Sequence, residues 1–538
     1  MYRFSLIIFF IASCILAGRR LLRYLQFFQQ EEYDGNRFLI WLRKKLACDR
    51  RATCVTVASV VLTLLLPDRF FSLPFFLAAA ALAVIGFSED DPRRHGKVRL
   101  HMTERAKRIY RLACAGCSVA LLGLVLVAYH AEWRLSLPFC LAYVAFVQSL
   151  PLFLVAANLC LLPGETKRQA RFLSEAKSIL ASVRPYVVGI TGSYGKTSTK
   201  MILGEMMSAV YPTFWPAKSI NTPMGITRAI REGMKPQHRY AVIEMGAYQR
   251  GSIKRLCDLT PPQAGIVTAV GIMHLERFLA AENVFLAKSE LAQAIPQDGI
   301  LVCNGDDELA RRMATEQRKK RTLLYGFDRE KHHLDCWMTD IVTSASGTSF
   351  VIHWDGKLFK GSTRLHGRPM LGNILAAFTM ACALGNDPSL MTAVIQSLEP
   401  VKNRLEVKRE NSVIYVHDAY NSNPVGFAAA LNVLAELPGS RKVLVTPGMV
   451  ELGQRQESEN VDIAQRAASI CDLVIVVGRT NLEPLLKGLA KGAFNEANIR
   501  TFVDRDAAFD FLRREQREGD VVLIENDLPD LYEVTPRF

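Results

Sequence analysis

Five apolar runs in the first third of the chain constrain its fold more than any other feature. They are Phe4–Gly18, Ala52–Leu66, Phe70–Phe87, Leu112–Tyr129 and Leu137–Leu162. Several lie near the shortest helix that crosses a bilayer, about 17–20 residues. Pro67-Asp68-Arg69 separates the second run from the third and reads as the tip of a helical hairpin. The linkers set the orientation. Residues 19–51 carry nine Lys/Arg and residues 88–111 carry eight, while the tips near Asp68 and near Glu132–Arg134 are short and almost neutral. Basic residues stay on the cytoplasmic side. The expectation is five spans in the cytoplasmic (inner) membrane, an outside N-terminus and a cytoplasmic remainder, with the lipid bilayer as a partner. A cleaved signal peptide competes for residues 1–18, but Arg19-Arg20 directly after the run reads as stop-transfer. Residues 19–51 fit either a solvated linker or an amphipathic surface helix, because Leu21, Leu22, Tyr24, Leu25, Phe27 and Phe28 alternate with Arg.

The charge follows the same division. Residues 1–170 hold 22 Lys+Arg against 11 Asp+Glu, whereas residues 171–538 hold 44 against 41. The basic surplus belongs to the membrane third, so the remainder lacks the basic face of a nucleic-acid binder. Twelve cysteines are scattered, and the only CxxC, Cys114–Cys117, falls inside an apolar run with no second ligand pair nearby. It reads as two small apolar helix residues, in keeping with a reducing compartment.

From about residue 183 the pattern becomes strand, turn, helix. Tyr186–Ile190 is a short β-branched run that leads into Thr191-Gly192-Ser193-Tyr194-Gly195-Lys196-Thr197-Ser198-Thr199 and then a helical stretch, Lys200–Val210. A strand, a glycine loop, Lys-Thr and a helix make a phosphate site. Backbone N–H groups and the helix N-terminus face the anion, Lys196 neutralises it, and the Thr197 hydroxyl can hold Mg²⁺. The strict GxxxxGK[ST] spacing fails because Ile190 stands where its first glycine belongs. Two further strands end in possible metal ligands: Tyr240–Ile243 runs into Glu244, and Ala264–Gly271 runs into Ile272-Met273-His274. Open α/β sheets bind ligands at that end of their strands. Lys288, on a predicted helix, reads by itself as a solvated face residue.

Taken together, Thr191–Thr197, Asn221–Gly225, Glu244–Ala247, His274-Leu275-Glu276, Ala287–Glu290, Asn403–Glu406, Asp418–Pro424 and Met449–Gly453 resemble the Mur ligase family, in its MurF type. The resemblance covers about residues 183–480. It implies an ADP-forming ligase that joins a carboxylate to an amine through an acyl phosphate, with ATP and Mg²⁺ as cofactors. It implies that Gly192, Ser193, Gly195, Lys196, Thr197 and Ser198 cradle the phosphates. Asn373, Arg404, Asp418, Tyr420 and Asn421 would bind the nucleotide, the last three lying with Asn423 at the junction with the C-terminal domain. Thr197, Glu244, His274 and a carbamylated Lys288 would hold metal, and Lys196, His274 and Lys288 would serve the chemistry.

The implied architecture is an α-helical membrane region, 1–165, followed by α/β domains. These are a central P-loop ATPase domain with a mostly parallel sheet, 183–400, and a C-terminal Rossmann-like domain, 401–538. A strand-rich inset is expected at 333–365. Buried strands are expected at Arg441–Thr446, Leu473–Gly478 and Asp520–Glu525, with a helix over Asn460–Ile470.

Four segments depart from the family pattern. Pro369-Met370-Leu371-Gly372-Asn373 keeps only the last Asn of His-Asn-x-x-Asn. His417-Asp418 replaces Asp-Asp, Pro447-Gly448 replaces Gly-Asp, and Glu525-Asn526-Asp527 replaces a basic run. Apolar segments stand where the family places a domain for the UDP end of its substrate. The expected partners are therefore a membrane-proximal or lipid-linked carboxylate and an amino-acid or peptide amine, in cell-envelope precursor synthesis. The alternatives are a polyglutamate- or capsule-type ligase, a non-catalytic ATP-binding scaffold, and last a transporter, because the apolar runs carry almost no charge.

Overall fold

The computed structural model describes residues 2–44, 47–67, 72–94, 99–130, 137–247, 249–271, 281–317, 320–344, 346–400, 403–419, 422–450 and 452–526. The chain divides between Arg168 and Gln169 into two units.

The first unit is helical. Its helices are Tyr2–Gln30, Gly35–Lys44, Arg50–Leu65, Leu73–Ser88, Glu104–His130 and the first part of Leu137–Val183. Three segments are long and apolar enough to cross a membrane: Phe4–Gln30, Glu104–His130 and Pro138–Val183. The expectation of five spans is therefore not met by length alone. Arg50–Leu65 and Leu73–Ser88 have 16 residues each, about 24 Å at 1.5 Å per residue against an apolar slab of about 30 Å. The two hairpin tips between the runs fall outside the described residues. Phe9, Phe75, Phe139 and Tyr143 pack ring against ring in the interior, with Phe9 4.9 Å from Tyr143. Large apolar side chains such as Leu64, Val84 and Val119 face outward, as a lipid-facing surface requires.

Residues 19–30 are neither linker nor surface helix. The first helix continues to Gln30, and Leu21, Leu22, Tyr24, Leu25, Phe27 and Phe28 are all buried. Arg20 is buried with them. Its Nε donates to Asp49 at 2.8 Å and its Nη1 to Glu89 at 2.5 Å, while Arg23 meets Glu89 at 2.7 Å. All four charged residues lie just beyond the apolar runs, where buried charge demands this pairing.

The second unit is α/β. Nine strands, β1 (Tyr186–Thr191), β2 (Thr213–Phe214), β3 (Tyr240–Glu244), β4 (Ala264–Val267), β5 (Ile300–Asn304), β6 (Arg321–Gly326), β7 (Cys336–Ser344), β8 (Gly347–Trp354) and β9 (Lys357–Thr363), form one sheet in the order 2-3-1-4-5-6-7-8-9. The pairs from β2 to β7 are parallel, and β7-β8-β9 run antiparallel; they are the inset expected at 333–365. β1, β3, β4 and β5 are buried almost throughout, as parallel strands covered on both faces must be. A helix at Arg368–Ala383, apolar on nearly every side, is sunk in the same core as helix Lys196–Ser208.

A second sheet contains β10 (Glu406–Glu410), β11 (Val413–Asp418), β12 (Arg441–Thr446), β13 (Leu473–Val477), β14 (Ile499–Phe502) and β15 (Asp520–Glu525), in the order 10-11-15-12-13-14. Only β10 is antiparallel to its neighbour. The three strands expected here are present, and the expected helix spans Gln456–Ala468.

Candidate functional site

β1 delivers the chain to a tight loop that only glycine fits. Gly195 has φ +83°, and a Cβ there would lie 2.4 Å from Asn373 Oδ1; one on Gly192 would lie 1.9 Å from Thr268 Oγ1. The loop is fastened to the segment after β4. Ser193 N–H donates to the Ala269 carbonyl at 2.8 Å, its hydroxyl donates to the Gly271 carbonyl at 2.7 Å, and Thr268 donates to the Tyr194 carbonyl at 2.5 Å. Helix Lys196–Ser208 then starts at the loop, so its first free N–H groups and its positive end face the same space. The Lys196 ammonium folds back onto the carbonyls of Gly192 (2.7 Å) and Ser193 (3.1 Å). Burial pulls it below its ordinary range, opposed by the charge of Glu244. Ser198 is buried in the first turn.

Thr197 is buried, and its hydroxyl donates to Ser219 at 3.3 Å. Glu244, the last residue of β3, is 1% exposed. Its Oε1 accepts the Asn221 amide at 3.0 Å and its Oε2 accepts Lys200 at 3.4 Å. Lys200 also donates to the Lys218 carbonyl. A hydroxyl and a carboxylate are hard oxygen donors that suit Mg²⁺, which keeps waters and substrate phosphates for its other positions. Among the described residues no cluster of three or more His, Cys, Asp or Glu could hold a metal. His274 lies outside the described residues, as do Tyr420 and Asn421.

Lys288 is not the solvated residue its helix position suggests. It is 4% exposed, and burial, with the nearby Lys196 charge, holds its ammonium well below the usual lysine range. The neighbouring Glu290 has a structural task, accepting the N–H groups of Gly251 (2.5 Å) and Lys254 (2.9 Å) at the start of helix Ser252–Leu259. Asn373 is buried under the loop, where its Oδ1 accepts the Thr199 hydroxyl at 3.2 Å.

The second sheet contributes from the other side. Arg404 reaches the Thr197 hydroxyl at 3.5 Å. Leu405 N–H donates to Asp418 Oδ1 at 3.2 Å, and burial pushes that carboxyl up to about 6. Asn423 caps helix Pro424–Glu436 through the Gly426 N–H at 2.9 Å. The structure thus brings Lys196, Thr197, Glu244, Lys288, Arg404 and Asp418 into one electrostatically linked region. Sequence reasoning missed Lys200 and Thr268, and it placed Asn221 in a motif without giving it a role. The signal for Lys200 was its position one helical turn after Lys196, on the same face.

Two family profiles match the chain: the Mur ligase middle domain over residues 190–381, and the Mur ligase, glutamate ligase domain over residues 403–525. The UDP-N-acetylmuramoyl-tripeptide--D-alanyl-D-alanine ligase of Escherichia coli (strain K12) is 32% identical over 297 residues, which is 54% of this chain and 64% of that one. The enzyme of the same name from Mycobacterium bovis is 30% identical over 364 residues, 63% and 70% of the two chains. This chain therefore spans about two thirds of the length of these relatives. The crystal structure of MurF ligase from Thermotoga maritima in complex with ADP superposes with a TM-score of 0.60 at 26% identity, over 67% of this chain and 80% of that one. The phosphate loop, the carboxylate behind it, the buried lysine and the arginine opposite all fall within the matched segments, and the chain belongs to the Mur ligase family.

Proposed function

We propose that the chain is a membrane-anchored, ATP-dependent ligase that forms an amide bond between a carboxylate and an amine in cell-envelope precursor synthesis. The observation that carries this reading is the convergence of Lys196, Glu244, Lys288 and Arg404 on the loop at Thr197. A carboxylate that approaches a triphosphate meets strong repulsion, so cations positioned in a partly dry site are what the reaction requires. The loop N–H groups and Lys196 would hold the β- and γ-phosphates, with Arg404 opposite. The substrate carboxylate oxygen attacks the γ-phosphorus and ADP leaves. The amine nitrogen then attacks the acyl carbon of the acyl phosphate, inorganic phosphate leaves, and an amide results.

Magnesium, when bound, would neutralise phosphate oxygens, and Thr197 and Glu244 are the residues that would hold it. Burial, with the Lys196 charge, lowers the Lys288 ammonium well below the usual lysine range and so favours its neutral form, and a neutral amine is the form that adds to CO₂. Its carbamate would give the site a second anionic ligand.

Three helices with the length and apolarity of membrane spans lie in residues 2–183, ahead of the matched middle domain, which begins at residue 190. We infer that the carboxylate is presented at the membrane surface, in the cytoplasm, as a lipid-linked or membrane-proximal envelope precursor. The names of the relatives favour a second reading, the same reaction on dissolved UDP-N-acetylmuramoyl-tripeptide with D-alanyl-D-alanine. The test is ADP release by the full chain in detergent, with ATP and magnesium. One arm receives UDP-N-acetylmuramoyl-tripeptide plus D-alanyl-D-alanine, and the other receives membrane lipid extract plus amino acids, with product masses recorded. Turnover in the lipid arm alone is expected. Robust turnover on the dissolved pair defeats the membrane-presented reading, polymer masses point to a polyglutamate-type ligase, and no ADP in either arm defeats the ligase reading.

A further inference from the structure

The two carboxylate oxygens of Glu244 have partners of different kinds. The Asn221 amide donates to Oε1 at 3.0 Å, and Lys200 Nζ donates to Oε2 at 3.4 Å. Asn221 is half-buried, so Oε1 lies on the open side of the carboxylate. Lys200 is fully buried, so Oε2 faces the core. Lys196, one helical turn earlier, donates instead to the carbonyls of Gly192 and Ser193.

One short segment fixes this arrangement. It lies between β2 and helix Pro223–Gly233. The Lys218 carbonyl accepts Lys200 Nζ, Ser219 accepts the Thr197 hydroxyl at 3.3 Å, and Asn221 reaches Glu244. The Asn221 carbonyl accepts the Gly246 N–H at 3.1 Å, just beyond Glu244. Residues 218–221 therefore touch both oxygen donors and the lysine behind one of them. Lys200 has no route to water, and turning it aside would strand a polar group and the Lys218 carbonyl in the core. Asn221 has solvent at hand to replace its bond.

This asymmetry limits how many oxygens Glu244 can offer to a metal ion. A carboxylate either binds through one oxygen or chelates through both. Mg²⁺ is small, demands a near-ideal octahedron and keeps its waters, so one oxygen suits it. Ca²⁺ is larger, takes about six to eight oxygens and accepts carboxylates either way. Oε1 can exchange its amide for a cation, whereas Oε2 stays occupied.

Resting on the ligase reading of the site, we propose that Lys200 determines which ion the site accepts: it confines Glu244 to one-oxygen coordination and thereby favours Mg²⁺ over Ca²⁺. Lys200 touches neither nucleotide nor substrate. It is a positioning residue that acts through Glu244.

The test is metal binding by the full chain in detergent with saturating ADP. Manganese is the reporter, followed by electron paramagnetic resonance, and magnesium and calcium are titrated against it. Protein-free ADP supplies the baseline. Wild-type protein should prefer magnesium, and Glu244→Gln should lose most of the signal above baseline. In Lys200→Met the calcium-to-magnesium affinity ratio should rise about tenfold or more, the scale on which removing the partner of a metal ligand acts.

A smaller rise overturns the proposal, because a merely structural role would weaken both ions alike. No manganese above baseline in the wild type, or a signal undiminished in Glu244→Gln, overturns it as well. Turnover is read separately. A shifted ratio with no ADP formed from any amine supports the selectivity and counts against the ligase reading, whereas an unshifted ratio in a chain that releases ADP leaves that reading intact. Should Lys200→Met fail to fold, infrared difference spectra of the wild type against Glu244→Gln decide the matter. The carboxylate bands should keep the wide separation of one-oxygen coordination with either ion, and the narrow separation of chelation with calcium overturns the proposal.

Discussion

Lys200→Met removes a charge from beneath the phosphate loop while keeping most of the side chain's volume. The Lys200 ammonium is fully buried, bonded to the Lys218 carbonyl and 3.4 Å from Glu244 Oε2. Lys218 sits at φ +59°, a strained conformation for a non-glycine residue, which this bond helps to hold. The substitution leaves the Glu244 carboxylate buried, with the Asn221 amide at 3.0 Å as its remaining donor. Deleting one partner of a buried ion pair costs about 3–5 kcal/mol. Because Asn221 still serves Oε1, the lower end applies, about 3 kcal/mol or roughly a 100-fold shift toward the open state. Hydrogen exchange of the amides in helix Lys196–Ser208 and in β3 reads this directly. Glu244→Gln added to Lys200→Met should recover about half of the loss or more, since the uncompensated charge is then gone. A single variant that changes exchange by less than about fivefold, or a double variant as open as the single, would refute the reasoning.

Other outcomes follow from the same geometry. Gly195→Ala must clear Asn373 Oδ1 at 2.4 Å with φ at +83°, whereas Gly251→Ala has a similar φ of +81° and nothing within 4 Å. Thermal midpoints should show a loss of about 1 kcal/mol for Gly251→Ala and more than twice that for Gly195→Ala, and only Gly195→Ala should weaken binding of fluorescent ADP. Asp418 and Glu525 hold their protons more tightly in the folded chain than in the unfolded one, so stability should fall as pH rises through about 6 and beyond. Glu525→Gln should therefore raise the thermal midpoint at about pH 8 and leave it unchanged at about pH 4; equal shifts at both would contradict this assignment. Lys288→Met should lower ADP release about 100-fold or more, and wild-type protein stripped of CO₂ should regain activity with bicarbonate.

The fold was legible where the pattern is periodic and continuous. The strand before the loop and the buried strands of the second sheet announced themselves as β-branched runs, and the inset as a loose alternation over Ile341–Trp354. The extent of the first helix did not. Arg19, Arg20 and Arg23 look like an exit from the membrane, yet Arg20 is buried because Asp49 and Glu89 arrive from distant segments to pair with it, and no local pattern records such a partner. Lys288 failed in the same way. A lysine on a helix reads as solvated until the sheet behind it is known. The loop residues Gly192, Gly195, Lys196 and Thr197 were readable because their chemistry is local, whereas Lys200 and Thr268 serve them across the fold and carry no motif of their own.

Three buried carboxylates show how much of this chain's chemistry depends on which oxygens are already occupied. Glu89 has an arginine on each oxygen, Arg20 at 2.5 Å and Arg23 at 2.7 Å. A further cation would have to displace a bidentate network, so its task is structural. Glu244 is answered by one lysine and one neutral amide. An amide yields to a cation more readily than a guanidinium does, so Glu244 can stay paired in the core and still exchange a partner for a metal ion. Glu525 has a single hydroxyl on Oε1 and no hydrogen-bond partner on Oε2. Burial, with the Asp418 charge beside it, therefore holds its carboxyl well above the usual carboxylate range. Occupancy falls from Glu89 to Glu244 to Glu525, and the readiness to accept an outside cation rises in the same order. Burial alone does not distinguish them, since all three are nearly inaccessible; the difference lies in the donors that the fold supplies.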